Sequence, residues 1–200
     1  MVPLVAVAVA LQLAALTPPS PQCLPRGDGL VCGYQCIANL QSAACAQTPE
    51  GLCAKTPSQV SCWDPPPDVR WMLATDETLP RPTCVTRDGN IACGFHCATT
   101  LSDVACANTP FGACRASFGR LLCFDPAPEV RWAMAQAGHF EAARCESTLK
   151  QIACGYHCTS IGQRVACSAT PAGNCARRFD AIACIDPAPI VQIPSRGDPR

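Results

Sequence analysis

Three five-residue stretches hold the densest reactive chemistry of the chain: Cys32-Gly33-Tyr34-Gln35-Cys36, Cys93-Gly94-Phe95-His96-Cys97 and Cys154-Gly155-Tyr156-His157-Cys158. Thiol pairs with an imidazole between them suit three chemistries. They can clamp a metal, cycle between dithiol and disulfide, or staple a fold. Zinc clamps, thioredoxin-like redox pairs and haem attachment sites all favour two residues between the cysteines. Three residues separate them here, and the chain contains no C-x2-C. Gln35 also stands in the first copy where the others carry His96 and His157, so a required ligand would be lost there. The expectation is a disulfide scaffold with no metal and no cofactor.

The same slots suggest binding. Tyr34, Phe95 and Tyr156 place a ring, and Gln35, His96 and His157 a hydrogen-bonding group, at one point in every copy. A flat ring beside a polar group can hold a sugar or a peptide, so these six residues are the candidate binding slot. The structural alternative is that the ring roofs a core too small to close without it. Trp71 and Trp132 carry the same ambiguity.

Catalytic signals are sparse. The three histidines are His96, His139 and His157, and neither G-x-S-x-G nor H-E-x-x-H occurs. Asp64, Asp125 and Asp186 recur, each before a proline, and read as turn-capping carboxylates. No residue is assigned a catalytic role. Arg26-Gly27-Asp28 and Arg196-Gly197-Asp198 spell a possible integrin motif, but Gly and Asp are ordinary turn residues, and the motif is read that way.

The elements that must position these residues follow from one repeat. Cys23, Cys32, Cys36, Cys45, Cys53 and Cys62 form a first set. An offset of 61 gives Cys84, Cys93, Cys97, Cys106, Cys114 and Cys123, and a second gives Cys145, Cys154, Cys158, Cys167, Cys175 and Cys184. A T-P-x-G stretch recurs from Thr48, Thr109 and Thr170, and an Asp-Pro-x-Pro from Asp64, Asp125 and Asp186. The chain is therefore three tandem modules, 23–67, 84–128 and 145–189, behind a leader (1–21) and before a flexible tail (190–200).

Each module holds three C-x8-C units, with an apolar residue two before every closing cysteine. That spacing puts both side chains on one face of a strand. Cys84–Cys93 is the clearest unit. Its central Asp88-Gly89 is a type I′ hairpin signal. Folding there sets Arg87 against Asn90, Thr86 against Ile91, Val85 against Ala92 and Cys84 against Cys93. Gly27-Asp28, Phe118-Gly119 and Gly162-Gln163 are tolerable turn centres. Leu40-Gln41, Leu101-Ser102, Leu149-Lys150 and Phe179-Asp180 are poor ones and predict wider loops. Local pairing of each unit's cysteines follows from hairpins, with interlocked bridges as the alternative. T-P-x-G predicts a type I turn, and Cys-Gly a sharp reversal at positive φ. Val130–Ala137 predicts a short helix ended by Gly138. The linkers predict exposed tryptic sites near Arg70, Arg81, Arg131 and Arg144.

Composition agrees with small stapled modules. Cysteine is abundant, aromatics are 6 % and the formal net charge is zero. A neutral total offers no footprint for nucleic acid or for an anionic membrane. Val2–Leu16 is an apolar run too short for an anchor and reads as an export signal, which implies an oxidising compartment. No other segment is expected to meet a membrane.

The pattern C-G-[YF]-[QH]-C, then T-P-x-G-x-C, then [WFI]-D-P-x-P resembles a cysteine-rich tandem repeat of uncharacterised bacterial proteins predicted to be secreted. The resemblance covers all three modules. It implies an extracytoplasmic location and carries no activity. The expected fold is small, disulfide-rich, mainly β or irregular, with three six-cysteine modules of short hairpins. The expected protein is secreted, periplasmic or on the cell surface. It acts as a multivalent binding, adhesion or structural module toward a protein or glycan. An inhibitor or toxin-like effector is the alternative, and an enzyme the third.

Overall fold

The computed structural model describes residues 20–27 and 29–187. Most of the leader, Asp28, the end of the third module and the tail with Arg196-Gly197-Asp198 lie outside the described residues.

The fold is disulfide-rich and mainly β. Module 1 contributes β1 (Gln22–Arg26), β2 (Gly29–Ala38), β3 (Ala43–Ala46), β4 (Leu52–Lys55) and β5 (Val60–Trp63), and a linker helix α1 (Pro67–Thr75) follows. Module 2 repeats this as β6 (Thr83–Arg87), β7 (Asn90–Thr99), β8 (Val104–Ala107), β9 (Ala113–Ser117), β10 (Arg120–Phe124) and α2 (Pro128–Ala137). Module 3 comprises β11 (Arg144–Ser147), β12 (Ile152–Ile161), β13 (Arg164–Ser168), β14 (Asn174–Arg178) and β15 (Ala181–Ile185).

All pairing is antiparallel, and every unit forms a hairpin closed by its own cystine. Cys84 opposes Cys93, with Arg87 opposite Asn90, as the turn chemistry requires. The eighteen cysteines make nine such bridges, each with a sequence separation of 9 and a Cα–Cα distance of 4.0–4.1 Å. That short span matches the close, non-hydrogen-bonded rung of an antiparallel ladder. So many cystines are the mark of an oxidising environment. No helix among the described residues is long and apolar enough to cross a membrane.

Two kinds of tip close the hairpins. Loops 39–42, 56–59, 100–103 and 148–151 hold four residues, and Asn or Thr opens each one. Asn39 Oδ1 accepts the N–H groups of Gln41 and Ser42 at 2.9 and 2.8 Å, and Thr100 Oγ1 accepts that of Asp103 at 2.9 Å. Such side chains substitute for ladder bonds and set a loop. The remaining tips are two-residue turns. Phe179-Asp180 was expected to need a wider loop, yet Arg178 pairs directly with Ala181 and Phe179 takes φ +53°. The Cys175–Cys184 bridge sets the same register as in the four-residue loops, but Arg178 stands where those carry the capping Asn or Thr, so the ladder runs on and leaves two residues at the apex.

Ten-residue β7 does not run straight. Its register shifts between Phe95 and Ala98, with Gly94 at φ +145° and His96 at φ +46°. A Cβ on Gly94 would lie 2.3 Å from the Ala107 carbonyl oxygen. The strand folds back here, which brings the tips at its two ends together. Asn90 Nδ2 donates to the Ser102 carbonyl at 2.8 Å, and Arg87 Nε to that of Leu101 at 3.3 Å.

The same tip-to-tip bonding continues along the chain. Asn39 Nδ2 donates to Thr56 O (3.0 Å) and Thr56 Oγ1 to Gly89 O (3.2 Å). Arg120 donates to Lys150 O, Thr148 Oγ1 to Gln163 O (2.8 Å) and Arg164 Nη1 to Asp180 O (3.1 Å). Successive hairpins lie face on face, β2 on β4 on β6 and β3 on β5 on β7. The result is a quasi-linear stack with every tip on one edge and every reversal on the other.

Cystines and small side chains fill the space between hairpins, so larger apolar groups gather where the linkers pack. Pro67 and Pro128 start the two helices, and Gly138 ends α2 at φ +62°. Val69 and Leu73 of α1 pack on Phe95 and Ala107. Met72 packs with Phe111, Val130 and Met134, which joins α1 to α2. Arg131, expected at an exposed cleavage site, is buried instead. It pairs with Asp68 at 2.6 Å and donates to the Pro126 carbonyl at 2.6 Å. The linkers are struts that bind consecutive modules together.

Candidate functional site

The predicted slot lies on the reversal edge, and its rings face inward. Phe95 and Tyr156 are 1 % and 2 % exposed, and Tyr34 is half-buried. Trp63, at the end of module 1, meets Phe95 edge-on with ring centroids 5.8 Å apart. Phe124 meets Tyr156 in the same way at 6.1 Å. Each ring therefore seals the joint with the preceding module, and edge-to-face pairs of this kind add to simple area burial. Tyr34 has no such preceding ring among the described residues. Burial also pushes the Tyr156 phenol well above its usual range, with Glu141 adding to the shift. Its hydroxyl finds no partner.

The polar neighbours are exposed, and each bonds to a turn. His96 Nε2 donates to the Pro110 carbonyl at 2.9 Å and His157 Nε2 to that of Pro171 at 2.8 Å. Gln35 Nε2 reaches the Pro49 carbonyl at 3.4 Å. All three side chains grip the proline of the adjacent T-P-x-G turn. A Gln serves as well as a His because only one N–H donor is needed.

The recurrent carboxylates hold the same turns from the other end. Asp125 Oδ1 accepts the Thr109 N–H and hydroxyl, both at 2.9 Å, and Oδ2 accepts the Asn108 N–H at 2.8 Å. Asp64 and Asp186 repeat this at Thr48 and Thr170. Gly112 closes the turn onto the Thr109 carbonyl at 3.2 Å, and a Cβ there would lie 2.5 Å from Asp125 Oδ1. Capping is thus the work of these aspartates. The six slot residues and the three aspartates build the reversal edge, where Gln35, His96 and His157 stay exposed beside the buried and half-buried rings. Among the described residues no group of three His, Cys, Asp or Glu is placed to hold a metal ion.

The opposite edge is built differently. Leu40, Leu101, Phe118, Leu149 and Phe179 occupy hairpin apices at 103, 85, 70, 69 and 83 % exposure. An open groove of about 590 Å³ runs between three consecutive tips, lined by Arg87, Thr99, Leu101 and Phe118. Smaller depressions lie at Arg26 and Leu40 and at Arg120 and Leu122. Two apices are strained as well as exposed. Phe118 and Phe179 sit at φ +49° and +53°, a left-handed conformation that suits Gly, Asn or Asp. The two-residue turn demands that φ, as at Asp88 (φ +47°) and Gly27 (φ +54°), and at two apices an exposed phenylalanine meets the demand.

No family model, no curated protein and no solved structure matches the chain.

Proposed function

We propose that this protein is a non-catalytic, disulfide-stapled binding module of an extracytoplasmic compartment, and that it engages its partner along the hairpin tips rather than at the reversal slot. One observation carries the reading: a row of large apolar side chains held in water at the apices of a rigid stack. Monomeric surfaces scatter single apolar residues, whereas aligned ones mark interaction sites. Short cystine-closed hairpins lose little freedom on binding, so each contact yields more net affinity. Repetition along one edge supplies effective concentration to contacts that are weak alone.

A protein and glycan array probed with three full-length chains tests the reading. They are the wild type, a Leu101→Ser/Phe118→Ser tip variant, and a Gln35→Ala slot variant. Capture lost in the tip variant and retained in the slot variant is expected. Capture lost only in the slot variant would return the site to the reversal edge. Tight one-to-one inhibition of an enzyme by one hairpin would favour an inhibitor instead.

A further inference from the structure

The formal net charge of zero conceals a separation that only the fold creates. Arg26, Lys55, Arg87, Arg120, Arg164 and Arg178 each stand at a strand end that meets a tip, and Lys150 lies within a loop. All are exposed. The described tips offer three carboxylates against them, Asp88, Asp103 and Asp180. Across the stack the balance reverses. Nine carboxylates lie among the described turns, helices and connections, Asp68, Glu77, Glu129 and Glu141 among them, against four arginines, Arg70, Arg81, Arg144 and the buried Arg131, which is paired with Asp68. The stack is a transverse dipole with its positive pole at the tips.

From this we infer that the tip edge docks on an anionic lipid bilayer surface. The inference rests on the reading that the tips bind, and it names what they bind. Three features of the edge converge on lipid. First, its basic residues would lie level with anionic headgroups, while the acidic edge faces away, so the dipole orients the molecule before contact. Second, Leu40, Leu101, Phe118, Leu149 and Phe179 project among those cations. A leucine apex offers a sugar neither a stacking plane nor a hydrogen bond, but it suits the headgroup–acyl boundary. Third, the apices lie in a row because most tips are bonded to the next, in two runs from Asn39 to Ser102 and from Arg120 to Asp180. A bilayer meets such a row at one depth, whereas a folded partner would need a matching line of pockets. The two-residue turns seat Phe118 and Phe179 at positive φ. That conformation holds each ring outward at the apex, where burial in lipid offsets the conformational cost.

The neutral composition suggested no attraction to an anionic membrane. That expectation averaged charges which the strand reversals sort onto opposite edges.

Sedimentation of the oxidised full-length chain with vesicles tests the inference. One set is phosphatidylcholine alone, and the other phosphatidylcholine with phosphatidylglycerol in equal parts. Binding to the mixed vesicles should exceed binding to phosphatidylcholine by at least about tenfold and weaken steeply with salt. Leu101→Ser/Phe118→Ser/Leu149→Ser/Phe179→Ser should reduce it about tenfold or more. Arg87→Gln/Arg120→Gln/Lys150→Gln/Arg178→Gln should remove the phosphatidylglycerol preference. A Phe118→Trp variant keeps the question open to measurement if the multiple variants misfold. Its added emission should shift to the blue on mixed vesicles, while the native tryptophans, placed at the reversal edge, should not shift. No sedimentation with mixed vesicles at low salt overturns the inference. So does equal binding to a soluble anionic polymer such as dextran sulfate, which would assign the edge to polyanions. Tip-dependent capture on the arrays without vesicle binding would remove the lipid and leave the tip reading standing. If neither depends on the tips, both fall.

Discussion

The reversal edge and the tip edge of the stack treat their side chains in opposite ways. At the reversal edge the rings of Phe95 and Tyr156 are sealed, carboxylates cap turns and a Gln or His grips a proline carbonyl. At the tip edge the same chain leaves Leu and Phe in water and holds two phenylalanines in a strained backbone. The residue types that recur faithfully through the modules cluster on the first edge. Position 40 illustrates the second: its counterparts by the 61-residue offset are Leu101 and Gly162. Recurrence here marks the parts that every hairpin needs in order to stack, while the variable apices are free to meet something else.

The contrast can be broken first at Phe95. Phe95→Ala empties the joint between Trp63, α1 and module 2, and should cost about 3–5 kcal/mol. A thermal melt showing less than about 1 kcal/mol would mean that the ring is not core. Asp125→Ala comes next. It strands two backbone N–H groups and a buried threonine hydroxyl, for an expected loss of about 2 kcal/mol in denaturant titration. An unchanged midpoint would detach the recurrent aspartates from turn capping.

At the tips the sign should reverse. Phe118→Asn before Gly119 gives a favoured turn pair at the same φ and should add about 1 kcal/mol of stability. A destabilised variant would show that the ring packs in the folded chain. Tyr156→Phe replaces the unpartnered buried hydroxyl by the ring that module 2 already uses. It should be neutral or stabilising by up to about 1 kcal/mol in the same titration. The phenol also gives a pH signature. Its folded value lies above the unfolded one, so its contribution is intact below about pH 10 and declines as pH rises beyond that. The alkaline loss should shrink in Tyr156→Phe, and an identical profile would place the phenol in water. The smallest effect is Leu101→Ser, within about 0.5 kcal/mol of the parent by melting temperature.

The repeat, the cystine partners and the Cys84–Cys93 register were all legible in the residues, because spacing of 9 and an Asp-Gly apex constrain one another locally. Turn capping by Asp64, Asp125 and Asp186 was legible for the same reason: an Asp before Pro at a fixed distance from T-P-x-G has few other uses. The wide loops left a signal that a search for two-residue turns passes over. Asn39, Thr56, Thr100 and Thr148 each stand three residues after an opening cysteine. What could not be read was everything set by the fold-back at Gly94 and its counterparts. Ring and polar group sit side by side in sequence, yet one turns into the joint and the other reaches a turn. The tip edge collects residues scattered from Arg26 to Phe179, and no local window contains it.

Each cystine closes its own hairpin and none crosses to another, which gives the chain a defined mechanical reach. Under tension between its ends, load passes from sulfur to sulfur and bypasses every hairpin apex. Three shielded segments of separation 9 in each 61-residue repeat hide nearly half of the contour length from stretching. The joints between hairpins can slide apart while the apices keep their shape. Reducing one bridge would release about 25 Å of slack. A tether of this build yields early, stops short, and keeps its tips presented while it is pulled.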